Sequence, residues 1–181
     1  MDFRSVPEIY EHIDRTRARL LSAVEGLSEE QRFRPAPDRW SAAQLCEHLS
    51  IVEGNVAGLV GKLLGKAEES GEARAADAPF APVSIEEFVA ITRDVKIKAP
   101  ERLNPSDSPP LAEALAALAA SRAALHSLRP RIERADGHAL RFPHPAWGPL
   151  NLYQWLLFVG AHESRHLAQI EALKEATGAG R

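Results

Sequence analysis

Cysteine occurs once, at Cys46, which excludes a disulfide framework and a four-cysteine zinc site. Hydrophobic runs are short, and none approaches the roughly 20 apolar residues that a membrane span requires. Charge is nearly balanced, −3 net with both signs dispersed. No Lys/Arg block interleaves with aromatics, so a nucleic-acid groove is not indicated. A glycine-rich phosphate loop and a P-loop lysine are also missing, which removes the common nucleotide fingerprints. The first residues are polar (Asp2, Arg4, Glu8), so no signal peptide is expected and the chain reads as a soluble cytoplasmic protein. No segment alternates with a period of two, so no strand is expected. Its 181 residues suit one domain over 1–181, long enough to bury a core.

Helix signals, by contrast, are strong. Ser5-Val-Pro-Glu8 reads as a capping box, and Ile9, Ile13, Arg17, Leu20, Val24 and Leu27 follow at helical spacing, predicting a helix over 6–26. Ser28-Glu-Glu-Gln31 can cap a further short turn before the prolines of 33–38. Ser41-Ala-Ala-Gln44 is a second capping box, with Trp40 and Leu45 at the staple positions. The stripe Leu45, His48, Val52, Val56, Leu59, Leu63 predicts a helix over 41–67. Residues 70–109 are rich in proline and poor in large apolar residues, with a short helix expected at 85–95 behind Ser84-Ile-Glu-Glu87. A connection this long suits a crossover that lets the helices on either side of it run parallel. Ser108-Pro-Pro opens a helix to 134, with Leu111, Leu115, Leu118, Leu125 and Ile132 as its stripe and Ala114, Ala117, Ser121 and Ala124 as a small-residue face. After a loop at 135–150, Asn151-Leu-Tyr-Gln154 caps a helix to 175. Its stripe is Leu152, Trp155, Val159, His162, His166, Ile170, Leu173. Four long helices with one long crossover make an all-α four-helix bundle.

Three histidines lie on those stripes. His162 and His166 are spaced i, i+4, which places them on one helix face about 5–6 Å apart at Cβ; His48 comes from another helix. A single histidine on an apolar face is ordinarily a packed, hydrogen-bonded side chain. Three from two helices of one bundle suggest a divalent transition metal with coordination positions left open for chemistry.

Trp40-Ser and His48-Leu49, together with Pro143-His-Pro-Ala-Trp-Gly148-Pro-Leu-Asn-Leu-Tyr-Gln-Trp running into His162-Glu-Ser-Arg-His166-Leu-Ala-Gln169-Ile170, resemble the DinB/YfiT-like superfamily in order and spacing over residues 30 to 170. The resemblance implies a four-helix bundle with a crossover between its second and third long helices. It also implies a divalent metal, nickel or zinc, held by His48, His162 and His166. Some members are thiol-dependent transferases using bacillithiol, mycothiol or glutathione, and others are described as metal-dependent hydrolases. Members often form dimers, so a homodimer is expected. The function expected is therefore that of a metal-dependent enzyme on a small-molecule substrate, as a thiol-dependent transferase or a hydrolase. The competing reading is a non-catalytic module that binds a metal or ligand.

The remaining polar residues divide into site candidates and ordinary ones. His162-Glu163-Ser-Arg-His166 also fits the zincin pattern H-E-x-x-H. Only 15 residues follow His166, however, and Ala172 stands where the extended pattern places its last histidine. Glu163, about 100° round the helix from His162, reads as a solvated or ion-paired charge. Gln169, one turn beyond His166, can support that ring from behind. Arg17 and Arg122 interrupt apolar stripes; such residues ordinarily pack the stem and leave the head in water, or else hold a substrate carboxylate or phosphate. Cys46 should point away from His48 and act as a small core residue. His12, His126, His138 and His144 are expected on surfaces or loops, with His144 nearest the site. Trp40 and Trp147 read as packing residues that can also wall a pocket.

Overall fold

A computed structural model describes residues 1–33, 39–71, 80–84, 86 and 100–176, with side chains as far as residue 173. The long helices are α1 (Val6–Glu25), α3 (Ala42–Ser70), α4 (Leu111–Arg134) and α5 (Leu152–Ala176), with a short α2 (Glu29–Phe33) between the first two. A 3-10 turn, Glu101–Leu103, precedes α4. Apart from Glu86, the expected helix at 85–95 lies outside the described residues. Among the described residues, no helix is long and apolar enough to cross a membrane.

Helix directions follow from cross-helix pairs. Gln44, at the start of α3, donates to the Ser106 and Asp107 carbonyls just ahead of α4. At mid-length Glu53 meets Ser121 and Arg122, and near the far end Glu68 pairs with Arg131. The pairs ascend together, so α3 and α4 run parallel, as the crossover between them requires. Helices α1 and α5 are parallel by the same test: Gly160 sits on Ile13 and His12, Glu163 bonds Arg17, and the Leu173 carbonyl accepts from Gln31 beyond α1. Between α1 and α4 the order reverses, with Tyr10 on Leu125, Ile13 on Arg122 and Arg17 on Leu118. A Cβ on Gly160 would come within 3.1 Å of Ile13 Cγ2, so glycine permits the close α1–α5 approach.

Caps explain the boundaries. Ser41 and Gln44 form the full reciprocal box, and Asn151 and Gln154 exchange the same pair of bonds at 2.9 Å each. Ser28 and Gln31 do so around α2. At α1 the box is shifted: Ser5 Oγ accepts from Glu8 N–H, but the Glu8 carboxylate takes Arg4 N–H instead of that of Ser5. Helix α4 begins after Pro110 with no side-chain cap.

Two departures from the sequence reading concern strands and phase. Among the described residues there are two small antiparallel ribbons, β1 (Asp2–Phe3) with β2 (Val83–Ser84), and β3 (Arg141–His144) with β4 (Gly148–Asn151). Gly148 takes φ +69°, which a residue with a side chain adopts only with strain, and it closes the second ribbon ahead of α5. In α4 the buried line is Ala114, Leu118, Ser121, Arg122, Leu125 and Ile132. Leu115 is therefore only half-buried, and the small-residue face is split: Ala114 and Ser121 point in, while Ala117 and Ala124 are exposed.

The core falls into two apolar clusters. One holds Ile9, Tyr10, Ile13, Val56, Leu125 and Leu156; the other holds Leu20, Val24, Leu45, Cys46, Leu118, Leu167 and Ile170. Between them lies a charged layer with one residue from each long helix. Arg17 donates to Glu163 and to Glu53 (2.6 Å), and Arg122 donates to Glu53 (2.6 Å) and Glu163 (2.9 Å). All four are 7% exposed or less. Ser121 Oγ adds a bond to Glu53 at 2.7 Å, the Leu118 and Ile13 carbonyls each accept from one guanidinium, and partly exposed Asp14 accepts from Arg122 Nη1 at 3.0 Å. Arg17 and Arg122 thus point into the bundle and pair there with Glu53 and Glu163, and Arg122 also reaches Asp14 at the edge of the layer. Such a layer contributes little net stability, but it makes loss of any one member costly.

Candidate functional site

Helices α3 and α5 bring the three histidines together. The Nε2 atom of His162 lies 3.3 Å from that of His48 and 3.1 Å from that of His166, and the three ligand atoms fall within 4.8 Å of one another. The outer nitrogens of two rings are tied back. His48 Nδ1 is 2.7 Å from the Leu103 carbonyl oxygen, and His166 Nδ1 is 2.8 Å from Gln169 Oε1. Since a carbonyl oxygen only accepts, both Nδ1 atoms carry the proton and both Nε2 atoms present bare lone pairs to the centre.

That donor set fits a cation. His162 carries at most one Nε2 proton, so it can satisfy only one of its two neighbours, whereas a metal ion satisfies all three. Tetrahedral ligands at 2.0–2.1 Å are separated by about 3.3–3.4 Å, and octahedral neighbours by about 3.0 Å; the two spacings from His162, 3.3 and 3.1 Å, lie in this range. The protonation states also suit. Burial pushes His162 well below the ordinary imidazole value, and the adjacent His166, His48 and Arg165 add to the effect. Burial takes His166 down to about 4, against its bond to Gln169. Burial likewise lowers His48, against its bond to Leu103. All three are neutral at pH 7, the form that ligates.

The cluster sits in the wall of a cleft of about 1150 Å³. His48 and His166 are 3% and 6% exposed, so access comes from the cleft. Trp40 covers the cluster, 4.8 Å from the His48 ring and 6.4 Å from that of His166, and Phe158 stacks on His162 at 5.4 Å. Trp147 and Trp155 continue the aromatic wall. His144 belongs to it as well, 4.1 Å from Trp147 and 5.0 Å from Phe158. Its Nδ1 accepts from Ala146 N–H, and burial lowers its pKa to about 4.

The other candidates lie apart from the cluster. Glu163 is 1% exposed and spends its carboxylate on Arg17 and Arg122, so no carboxylate base accompanies the H-E-x-x-H string and the zincin reading fails. Cys46 is fully buried in the apolar core, and burial raises its thiol to about 12. His126 pairs with Asp14, and His138 packs among Phe80 and Tyr153. His12 is not a surface group: it packs on Phe3 and Gly160 with Nε2 buried. The sequence reading passed over Glu53. Its signal was available, because Glu53 lies four residues after Leu49 and three before Val56, both buried, and so belongs to the inward stripe of α3. The Leu103 carbonyl had no such signal, since a backbone acceptor leaves no mark in residue identity.

These features define a class: a four-helix bundle with a crossover between parallel neighbours and three imidazoles able to hold a metal ion in a cleft wall. The chain belongs to the DinB superfamily, whose family model matches residues 12–170. It is similar to the uncharacterized protein YuaE of Bacillus subtilis (strain 168), with 28% identity over 155 residues, covering 84% of this chain and 88% of that protein. Among solved structures it resembles TT2238, described as a four-helix bundle protein. The TM-score is 0.61 at 23% identity, with 92% of this chain and 98% of the other covered; this likeness speaks to the fold.

Proposed function

We propose that this protein is a metal-dependent enzyme acting on a small molecule, as a thiol-dependent transferase or a hydrolase. The observation that carries this reading is the convergence of three neutral imidazoles on one point, with their open side toward a cleft of substrate size. Zinc or nickel suits three nitrogen donors. Bound there, such an ion lowers the pKa of a coordinated water or thiol into the neutral range. The chain itself supplies the rest. His48, His162 and His166 would hold the ion in the wall of the cleft. Leu103 and Gln169 fix the tautomer and direction of two of the rings. Trp40 and Phe158 cover the imidazoles and exclude water from their outer faces. Because Glu163 is committed to the charged layer, proton transfer at the reacting group falls to a water or thiol and not to a carboxylate of this helix.

The test uses protein prepared without a histidine tag, loaded with zinc or with nickel, and screened for consumption of a low-molecular-weight thiol with electrophilic substrates and for ester hydrolysis. Turnover that disappears with a chelator and in His162→Ala supports the proposal. A loaded protein with no turnover above that variant in either screen contradicts it, and leaves a metal- or ligand-binding module as the better account.

A further inference from the structure

One imidazole of the cleft wall stands outside the metal centre. His144 ends β3 and pairs with Gly148 across the turn of its ribbon. Its ring is held in direction from two sides. It packs 4.1 Å from Trp147, 5.2 Å from Trp155 and 5.0 Å from Phe158, and its Nδ1 accepts from Ala146 N–H at 3.1 Å. A ring nitrogen that accepts carries no proton, so the proton of His144 is on Nε2 and the ring is a neutral donor. Burial favours the same form. Among the described residues no acceptor meets that Nε2–H. The Nε2 atoms of His12 and His138 are buried and unbonded. That of His144 is not buried, and its ring lines the cleft. Such a donor is satisfied by water or by an acceptor that a ligand brings in. Phe158 links it to the histidine cluster, 5.0 Å from His144 and 5.4 Å from His162, so the donor stands one aromatic side chain from the candidate metal centre. The surface around it is flat and apolar: all three tryptophans of the chain, Trp40, Trp147 and Trp155, line this one cleft.

We infer that the cleft takes a neutral aryl carbonyl compound, its oxygen accepting from His144 Nε2–H and its ring against Trp147 and Trp155. This rests on reading the cleft as the substrate site and makes His144 the residue that selects for an acceptor. A ligand of the same shape without the oxygen displaces water and leaves the N–H unpaired, which costs affinity.

The indole N–H resonances report a ligand here, because every tryptophan lines the cleft. Acetophenone and ethylbenzene share the aryl body and differ in the carbonyl. Each is titrated into metal-free, isotope-labelled protein, so that coordination to a metal cannot contribute. The readout is the ratio of the two affinities, since a change in packing alone moves both together. His144→Phe keeps an aromatic ring and removes the donor; it should shift the ratio against acetophenone by about 3–10-fold. His144→Gln supplies an amide N–H in place of Nε2–H and should restore the ratio. Ring-nitrogen resonances of the unaltered protein should show His144 protonated at Nε2. A ratio unchanged in His144→Phe, a ratio that His144→Gln fails to restore, a proton on Nδ1, or indole resonances that acetophenone does not move would each overturn the inference. Activity of the zinc-loaded protein separates the two readings. A preference for acetophenone that depends on His144, with no turnover, refutes the enzyme proposal alone. Chelator-sensitive turnover, with a ratio indifferent to His144, refutes this inference alone.

Discussion

Replacing Arg17 by Met removes one guanidinium from the charged layer and keeps much of the volume. Arg17 donates to Glu163, to Glu53 at 2.6 Å and to the Leu118 carbonyl at 2.8 Å. Leu118 lies inside α4, where its carbonyl keeps the helical backbone bond, so the loss that matters is the two charged bonds. At about 1.5–3 kcal/mol each, they bracket the roughly 3–5 kcal/mol seen when one partner of a buried pair is deleted. The expected destabilisation is therefore about 3–5 kcal/mol. Two carboxylates then share Arg122, and one of them takes up a proton. Burial already raises the Glu163 carboxyl above its ordinary value, against the pull of Arg17 and Arg122, so Glu163 is the one expected to do so. A carboxyl whose folded pKa is raised loses stability as pH rises; the variant should be less impaired in mildly acidic than in mildly alkaline buffer. Glu163→Gln alone leaves both guanidiniums on one buried carboxylate, Glu53, with only the partly exposed Asp14 beside Arg122, whereas the double variant Arg17→Met with Glu163→Gln leaves Arg122 paired with Glu53. It should cost less than the sum of the single changes by at least about 1.5 kcal/mol. Equilibrium urea unfolding followed by circular dichroism measures all three, provided the denaturant slope is unchanged. A loss below about 1 kcal/mol for Arg17→Met, with additive effects in the double variant, would show that the layer is not the closed unit described here.

Other outcomes follow from the same structure. Leu118, fully buried, should cost about 2–5 kcal/mol when cut to Ala, and half-buried Leu115 clearly less; urea unfolding that ranks them the other way would show that α4 has a different phase. Gln169→Leu removes the acceptor for His166 Nδ1 and should weaken zinc binding about 10–100-fold with helix content unchanged, as competition with a chromogenic chelator can measure. Metal-free protein should lose stability on acidification from about 6.5 toward about 4. Burial keeps His166 and His144 neutral in the fold down to about 4, so in that window the unfolded chain binds more protons; thermal unfolding that is flat across it would contradict the burial of these rings.

How much of this was legible in the sequence depends on what each feature asks of residue identity. The long helices were, because their caps (Ser41 with Gln44, Asn151 with Gln154) and 3.6-residue stripes are written in side chains. So was the meeting of His48, His162 and His166, since each stands on an apolar stripe and i, i+4 fixes one pair. The charged layer was written there too, but only as a set. Arg17, Glu53, Arg122 and Glu163 each look like a flaw in one helix, and only the match of two positive with two negative residues, one per long helix, identifies them as partners. The β3–β4 ribbon was hidden because Pro143 and Pro149 interrupt any strand pattern, and its pairing rests on backbone geometry at Gly148. The Leu103 acceptor depends on how a crossover folds back over α3, which no local spacing encodes.

The central claim is that His48, His162 and His166 form one metal centre. Zinc titrated into untagged protein, with X-ray absorption at the zinc edge, tests it most directly. The account predicts one ion per chain bound through three imidazole nitrogens at about 2.0–2.1 Å plus lighter exchangeable ligands, and loss of that ion in each His→Ala variant with the helices intact. No stoichiometric binding, or an ion that stays bound when all three histidines are replaced, would contradict it.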